Sequence, residues 1–206
     1  MKCLRIASTV CFVILMIGPA AADEVYTSRV DFISALITAT YVDFEAQSVG
    51  PVVGDPWLGL GIVFDEAGVG DNMAIGDGSG ADLNIYAQGG ESADIDISFP
   101  GQGPLACGIA VFSNSVQTAP GERLVFYGEG DAVLVSVDMP ETATGTSEFV
   151  GYTADVPIVR VAFIENNNDG DYVGIGEVVF GEWDQSPVAR TTWTCIKQLY
   201  SEQGRV

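Results

Sequence analysis

From Thr40 onward, apolar residues recur at every second position in short runs: TYVDFE, GLGIVF, ADIDISF, LACGIAVF, RLVFYGEG, AVLVSVDM, SEFVGYT, PIVRVAFIE and YVGIGEVVF. Gly, Pro, Asp and Asn separate them. A period of two sends alternate side chains to opposite faces of a strand, so each run predicts one half-buried strand. ADIDISF is the cleanest, with Ile95, Ile97 and Phe99 on one face and Asp94, Asp96 and Ser98 on the other. AVLVSVDM puts Val133, Val135 and Val137 together, although Leu134 thickens the opposite face. RLVFYGEGDAVLVSV predicts a hairpin turning at Gly128-Glu129-Gly130-Asp131. Many short strands with no helices between them describe an all-β fold, an antiparallel β-sandwich and most simply a jelly roll.

Two segments carry a helical period instead. In TSRVDFISALITA (Thr27 to Ala39), Val30, Ile33 and Ile37 recur at helical spacing, with Ser28 as N-cap and Asp31 three residues on. Near the end, TTWTCIKQLYSEQ repeats Trp193, Ile196 and Leu199, which predicts a short C-terminal helix beyond the polar connection GEWDQSPVAR. The sandwich is therefore expected over residues 23–181, with a linker and helical tail over 182–206. No fixed-period repeat points to a solenoid or propeller.

The first 22 residues have the composition of an export signal. Lys2 and Arg5 precede a short apolar core, VCFVILMIG, and Pro19-Ala20-Ala21-Ala22 supplies small residues for cleavage before Asp23. That core is shorter than the roughly 20 residues a spanning helix needs. The expectation is a secreted protein with no membrane insertion after cleavage. The full chain carries 8 basic and 28 acidic residues, a formal net charge of −20. Removing Lys2 and Arg5 leaves 6 − 28 = −22. Such a surface repels nucleic acid and anionic lipid, whose phosphates need basic partners. A hydrophobic content of 48% argues for a folded domain rather than a disordered acidic chain. Cys107 and Cys195 stay after cleavage; Cys107 lies in the apolar run LACGIAVF, which favours burial, and a bridge between the two is the alternative.

The order of segments also resembles a known group. YTSRVDFISAL leads to VDFE and GLGIVF, and later FVGYTADVPIVRVAF precedes GIGEVVFG. This resembles the exported β-sandwich domains common among bacterial PEP-CTERM-sorted proteins, over roughly residues 25 to 181. The resemblance implies a galactose-binding-like or carbohydrate-module-like jelly roll. The PEP motif, apolar helix and basic tail of that sorting signal are not in this sequence, and TTWTCIKQLY resembles instead a TWGxIKxLYR ending of some exported bacterial proteins, with Thr194 where Gly is usual. A soluble, secreted fate is the expectation.

Candidate chemistry is sparse. ENNNDGDYVGIGEVVF (165 to 180) sets Asp169 and Asp171 among asparagines ahead of Glu177. An EF-hand requires a bidentate Glu at position twelve, which here is Gly176, so that reading fails. A non-EF calcium site remains open, with Glu45 in VDFE and Glu177 in GIGEVVF where jelly-roll modules hold a structural ion between first and last strands. Asp169 and Asp171 are further oxygen candidates, their alternative being a plain Asn/Asp/Gly turn. A second acidic run, GDNMAIGDGSGAD (Gly70 to Asp82), reads as a surface loop. For sugar recognition the available rings include Trp57, Tyr86, Tyr152 and Trp183, with Trp57 and Tyr86 as the ligand-binding candidates and the core as the competing place for each.

With no histidine in the chain, the commonest general base and zinc ligand is missing. No nucleophile elbow, P-loop or dinucleotide fingerprint occurs either. The expected function is a non-catalytic secreted binding or surface-interaction module, carbohydrate-binding and calcium-stabilised, whose partner is an extracellular glycan or surface protein. The alternatives are a glycoside-active enzyme using paired carboxylates and a purely structural matrix or envelope protein.

Overall fold

Ser28 caps the first helix as the sequence predicts: its Oγ accepts the Asp31 N–H at 3.3 Å. The helix is shorter than its pattern, however. In the computed structural model, which describes residues 23–70, 72–77, 83–88, 94–113, 122–139, 146–164 and 173–185, α1 spans only Arg29–Ala35. Leu36 leaves it in an extended conformation and forms a β-bridge with Trp183, while the Ile37 and Thr38 N–H groups donate to the Glu182 carbonyl. The backbone groups that would have continued the helix are therefore taken by the segment after the last strand.

Thirteen strands occur among the described residues: β1 (Glu24–Tyr26), β2 (Thr40–Asp43), β3 (Gly50–Pro51), β4 (Val63–Glu66), β5 (Met73–Asp77), β6 (Leu83–Ala87), β7 (Ile95–Ser98), β8 (Ala106–Ser113), β9 (Arg123–Tyr127), β10 (Val133–Asp138), β11 (Thr146–Thr153), β12 (Arg160–Ile164) and β13 (Val173–Gly181). They form an antiparallel β-sandwich. The larger sheet runs β1-β11-β8-β13-β6-β5-β3, with β2 also on β13, and the smaller runs β10-β9-β12-β7-β4. The predicted C-terminal helix, the export signal, Asp169 and Asp171 lie outside the described residues.

The alternating positions fill the space between the sheets. Ile95, Ile97 and Phe99 are all buried, as their period predicts. Ring pairs join the layers: Phe126 of β9 meets Tyr152 of β11 at 5.3 Å between centroids, and Phe99 meets Phe180 of β13 at 5.1 Å. In β10 the alternation breaks. A bulge between Val133 and Val135 turns Val133 outward, where it is 61% exposed, while Val135 and Val137 pack against the core. The run from Gly70 is not simply a surface loop, because Met73, Ala74 and Ile75 are buried in β5. Trp183 also belongs to this packing: it is buried and its Nε1 donates to the Ala154 carbonyl at 2.8 Å.

Helix α1 lies on the outer face of the larger sheet. Phe32 is fully buried there, fitted over Gly108 of β8 and Gly151 of β11. A Cβ on either glycine would stand within 3 Å of the Phe32 ring, so the helix reaches the sheet only because those two positions have no side chain. This places the helix over one part of the face, over β8 and β11, and leaves β13, β2 and β6 to carry other outward groups.

Candidate functional site

β8 pairs with β13 along its length, from Val173 to Gly181. β2 and β6 therefore share the opposite side of β13, β2 at Glu177 to Phe180 and β6 at Ile175. On β2, Val42 is buried while Tyr41 and Asp43 point outward. Tyr41 is 46% exposed. On β6, Ile85 and Ala87 enter the core while Asn84 and Tyr86 occupy the outer face. Tyr86 is half-buried, and its ring lies against the backbone of β5: a Cβ on Gly76 would sit 2.5 Å from Cε1 and 3.1 Å from Cδ1. The glycine lets a flat ring rest on the sheet surface, where it is held in one orientation.

Between the two rings lie polar groups. Glu177 of β13 stands opposite Asp43 in register. Arg29, in the first turn of α1, donates to both Glu177 oxygens, from Nε at 2.7 Å and from Nη2 at 2.6 Å. The hydrogen bond to Glu177 pushes the Arg29 guanidinium up from its ordinary value, against the smaller opposing effect of partial burial. Glu45 is not in a strand. β2 ends at Asp43, and Glu45 follows in an exposed turn, where its Oε1 accepts the N–H of Leu83 at 2.9 Å. Glu45 thus ties the end of β2 to the start of β6.

Glu45 and Glu177 do border the same junction, but their oxygens are engaged elsewhere, Glu177 by a guanidinium and Glu45 by a backbone amide. Among the described residues no three acidic, Cys or His side chains converge as an ion cage. As placed, the described part of the set does not fit calcium, which takes six to eight oxygens.

Trp57 lies in the core rather than at a loop mouth. It is 7% exposed and packs edge-on against Phe44 and Phe64, each at 5.2 Å between centroids. Tyr152 and Trp183 are buried as well. Burial pushes the Tyr152 hydroxyl up, assisted by the negative charge of the nearby Asp23 carboxylate. Of the four rings singled out by sequence, Tyr86 alone keeps an outward position.

Sequence reasoning passed over Tyr41, although it stands two residues from Asp43 at the outward phase of TYVDFE. It also passed over a cluster on the smaller sheet. There Arg160 of β12 lies 3.9 Å from the ring centroid of Tyr127 and donates to Asp96 at 2.7 Å and Asp131 at 3.2 Å. The signal was a lone cation at the start of a period-two run, opposite an acidic one.

No family profile and no curated protein matches this chain. Solved structures similar to it include family 29 carbohydrate-binding modules. One, a mutant complexed with cellulohexaose, has 16% identity and a TM-score of 0.40, covering 71% of this chain and 94% of its own. Another, complexed with mannohexaose, has 15% identity and a TM-score of 0.40, covering 71% and 95%. With TM-scores below 0.5 the likeness does not extend to ligand or binding residues. No helix among the described residues is long and apolar enough to cross a membrane.

Proposed function

We propose that this chain is an exported, non-catalytic glycan-binding domain whose binding strip runs along β13 from Tyr41 to Tyr86. One observation carries the proposal: two tyrosine rings occupy the outer face of the same sheet, on the two strands that flank one side of β13, with polar side chains between them. Sugar rings present apolar C–H faces and hydroxyl edges, so recognition calls for a held aromatic surface beside hydrogen-bonding groups. Tyr86 over Gly76 supplies the held ring, and Asp43, exposed on β2, supplies hydrogen-bond acceptors. The absence of histidine agrees with a binding rather than a catalytic role.

The test is electrophoresis of the mature protein through gels containing a panel of neutral and acidic polysaccharides. Retardation by at least one polymer, lost in Tyr41→Ala and Tyr86→Ala with the fold intact by circular dichroism, is the expected result. No retardation by any polymer would sink the proposal.

A second reading, contact with a protein surface, is favoured by one feature. Val49, Val53, Leu58 and Leu60 are between 48% and 91% exposed within twelve residues whose sole charge is Asp55. Loss of surface binding in Val53→Asp, with glycan retardation unchanged, would support that reading.

A further inference from the structure

We infer that the strip takes an internal stretch of an extended, uncharged glycan chain rather than a terminal sugar; this rests on the glycan-binding reading above. The register of β13 measures the distance. Tyr41 pairs with Val179, and Ile85 pairs with Ile175, which sets Tyr86 level with Gly174. On the far side of β13, Val179 and Gly174 pair with Gly108 and Phe112 of β8. The two rings are therefore separated by five residues of β13, or four of β8 because β13 bulges between Ile175 and Glu177. At about 3.3 Å per residue this is roughly 13–16 Å.

A single pyranose cannot touch two platforms that far apart, whereas a short extended oligosaccharide can. Both platforms stand on one sheet. Once a chain is stacked on Tyr86, its contact with Tyr41 is intramolecular, and the gain appears only when the ligand is long enough to reach.

The charge of the ligand follows from the groups between the rings. Asp43, Glu45 and Glu177 contribute three carboxylates and Arg29 one guanidinium, a local formal balance of 1 − 3 = −2 on a chain of net −20. Arg29 is already committed to Glu177 through both oxygens. Uronate or sulfate groups would meet repulsion with no cation released to receive them.

The experiment is titration calorimetry of the mature protein with size-graded oligosaccharides, from one to six units, of the neutral polymer that retards it best. A polyuronate of equal length is the charged comparison. Affinity is expected to rise at least tenfold between monosaccharide and tetrasaccharide and to level off beyond that. In Tyr41→Ala, an exposed position that does not threaten folding, the hexasaccharide should bind no better than the disaccharide. Equal affinity for one unit and six would overturn the extended-chain inference and leave glycan binding standing. So would a polyuronate that binds as tightly as the neutral chain. If no polysaccharide of either kind binds, the glycan-binding reading itself falls.

Discussion

The Phe32 ring approaches to within 2.4 Å of the point where a Cβ on Gly151 would stand. Helix and sheet thus meet through a side chain on one partner and the lack of one on the other. Gly151→Ala should cost about 1–3 kcal/mol as an overpacked contact, and Phe32→Ala about 3–5 kcal/mol through the cavity it leaves. In the Phe32→Ala background the alanine at 151 meets no ring, so its cost should largely vanish, giving a strongly non-additive cycle. Urea unfolding of the four proteins measures this. Additive costs would mean that the helix docks some other way.

Trp57 yields a prediction of the opposite kind from Tyr41. Because it is enclosed by Phe44 and Phe64, Trp57→Ala should destabilise by about 3–5 kcal/mol while any glycan retardation persists below the melting temperature. A stable Trp57→Ala protein that has lost retardation would return Trp57 to the binding surface.

These two residues also mark how far the sequence was legible. Strand periods, the Ser28 cap and the Gly128–Asp131 hairpin are local, and the structure has all three. Other features depend on contacts distant in sequence. The helix stops at Ala35 because Glu182, some 147 positions later, takes the next amides. The bulge that turns Val133 outward depends on pairing with β9. The strand Met73–Asp77 was hidden by its own glycine, which reads as a loop signal but is there to let Tyr86 lie flat. Trp57 follows Gly54-Asp55-Pro56, which reads as a loop tip, yet the turn directs the indole inward. The Tyr41–Tyr86 strip could not be read from either run alone, since β2 and β6 come together only through β13.

Cys107 offers a chemical check on the core. It is fully buried in β8, and desolvation pushes its thiol well above the ordinary range. In a Cys195→Ser variant of the mature protein, Cys107 should not react with a water-soluble thiol reagent at pH 8 until denaturant unfolds the sandwich. One equivalent reacting within minutes under native conditions would show that β8 is accessible.

The Arg29–Glu177 pair decides what calcium can do. An ion bound only by the native state raises the melting temperature by an amount set by RT ln(1 + [L]/Kd), about 2.7 kcal/mol at a hundredfold excess over Kd. With both Glu177 oxygens on Arg29, the mature protein should melt at the same temperature in EDTA and in millimolar calcium. Removing the guanidinium changes this. In Arg29→Ala, Glu177 faces Asp43 across the strands uncompensated, and like charges directly opposite are destabilising. That variant should therefore gain a calcium-dependent rise in Tm that magnesium, smaller and stricter in geometry, does not reproduce. A calcium-specific rise in the unmodified protein, abolished by Glu45→Gln or Glu177→Gln, would instead establish an ion at the junction of β2 and β6. Arg29 would then have to release Glu177 whenever the ion is bound.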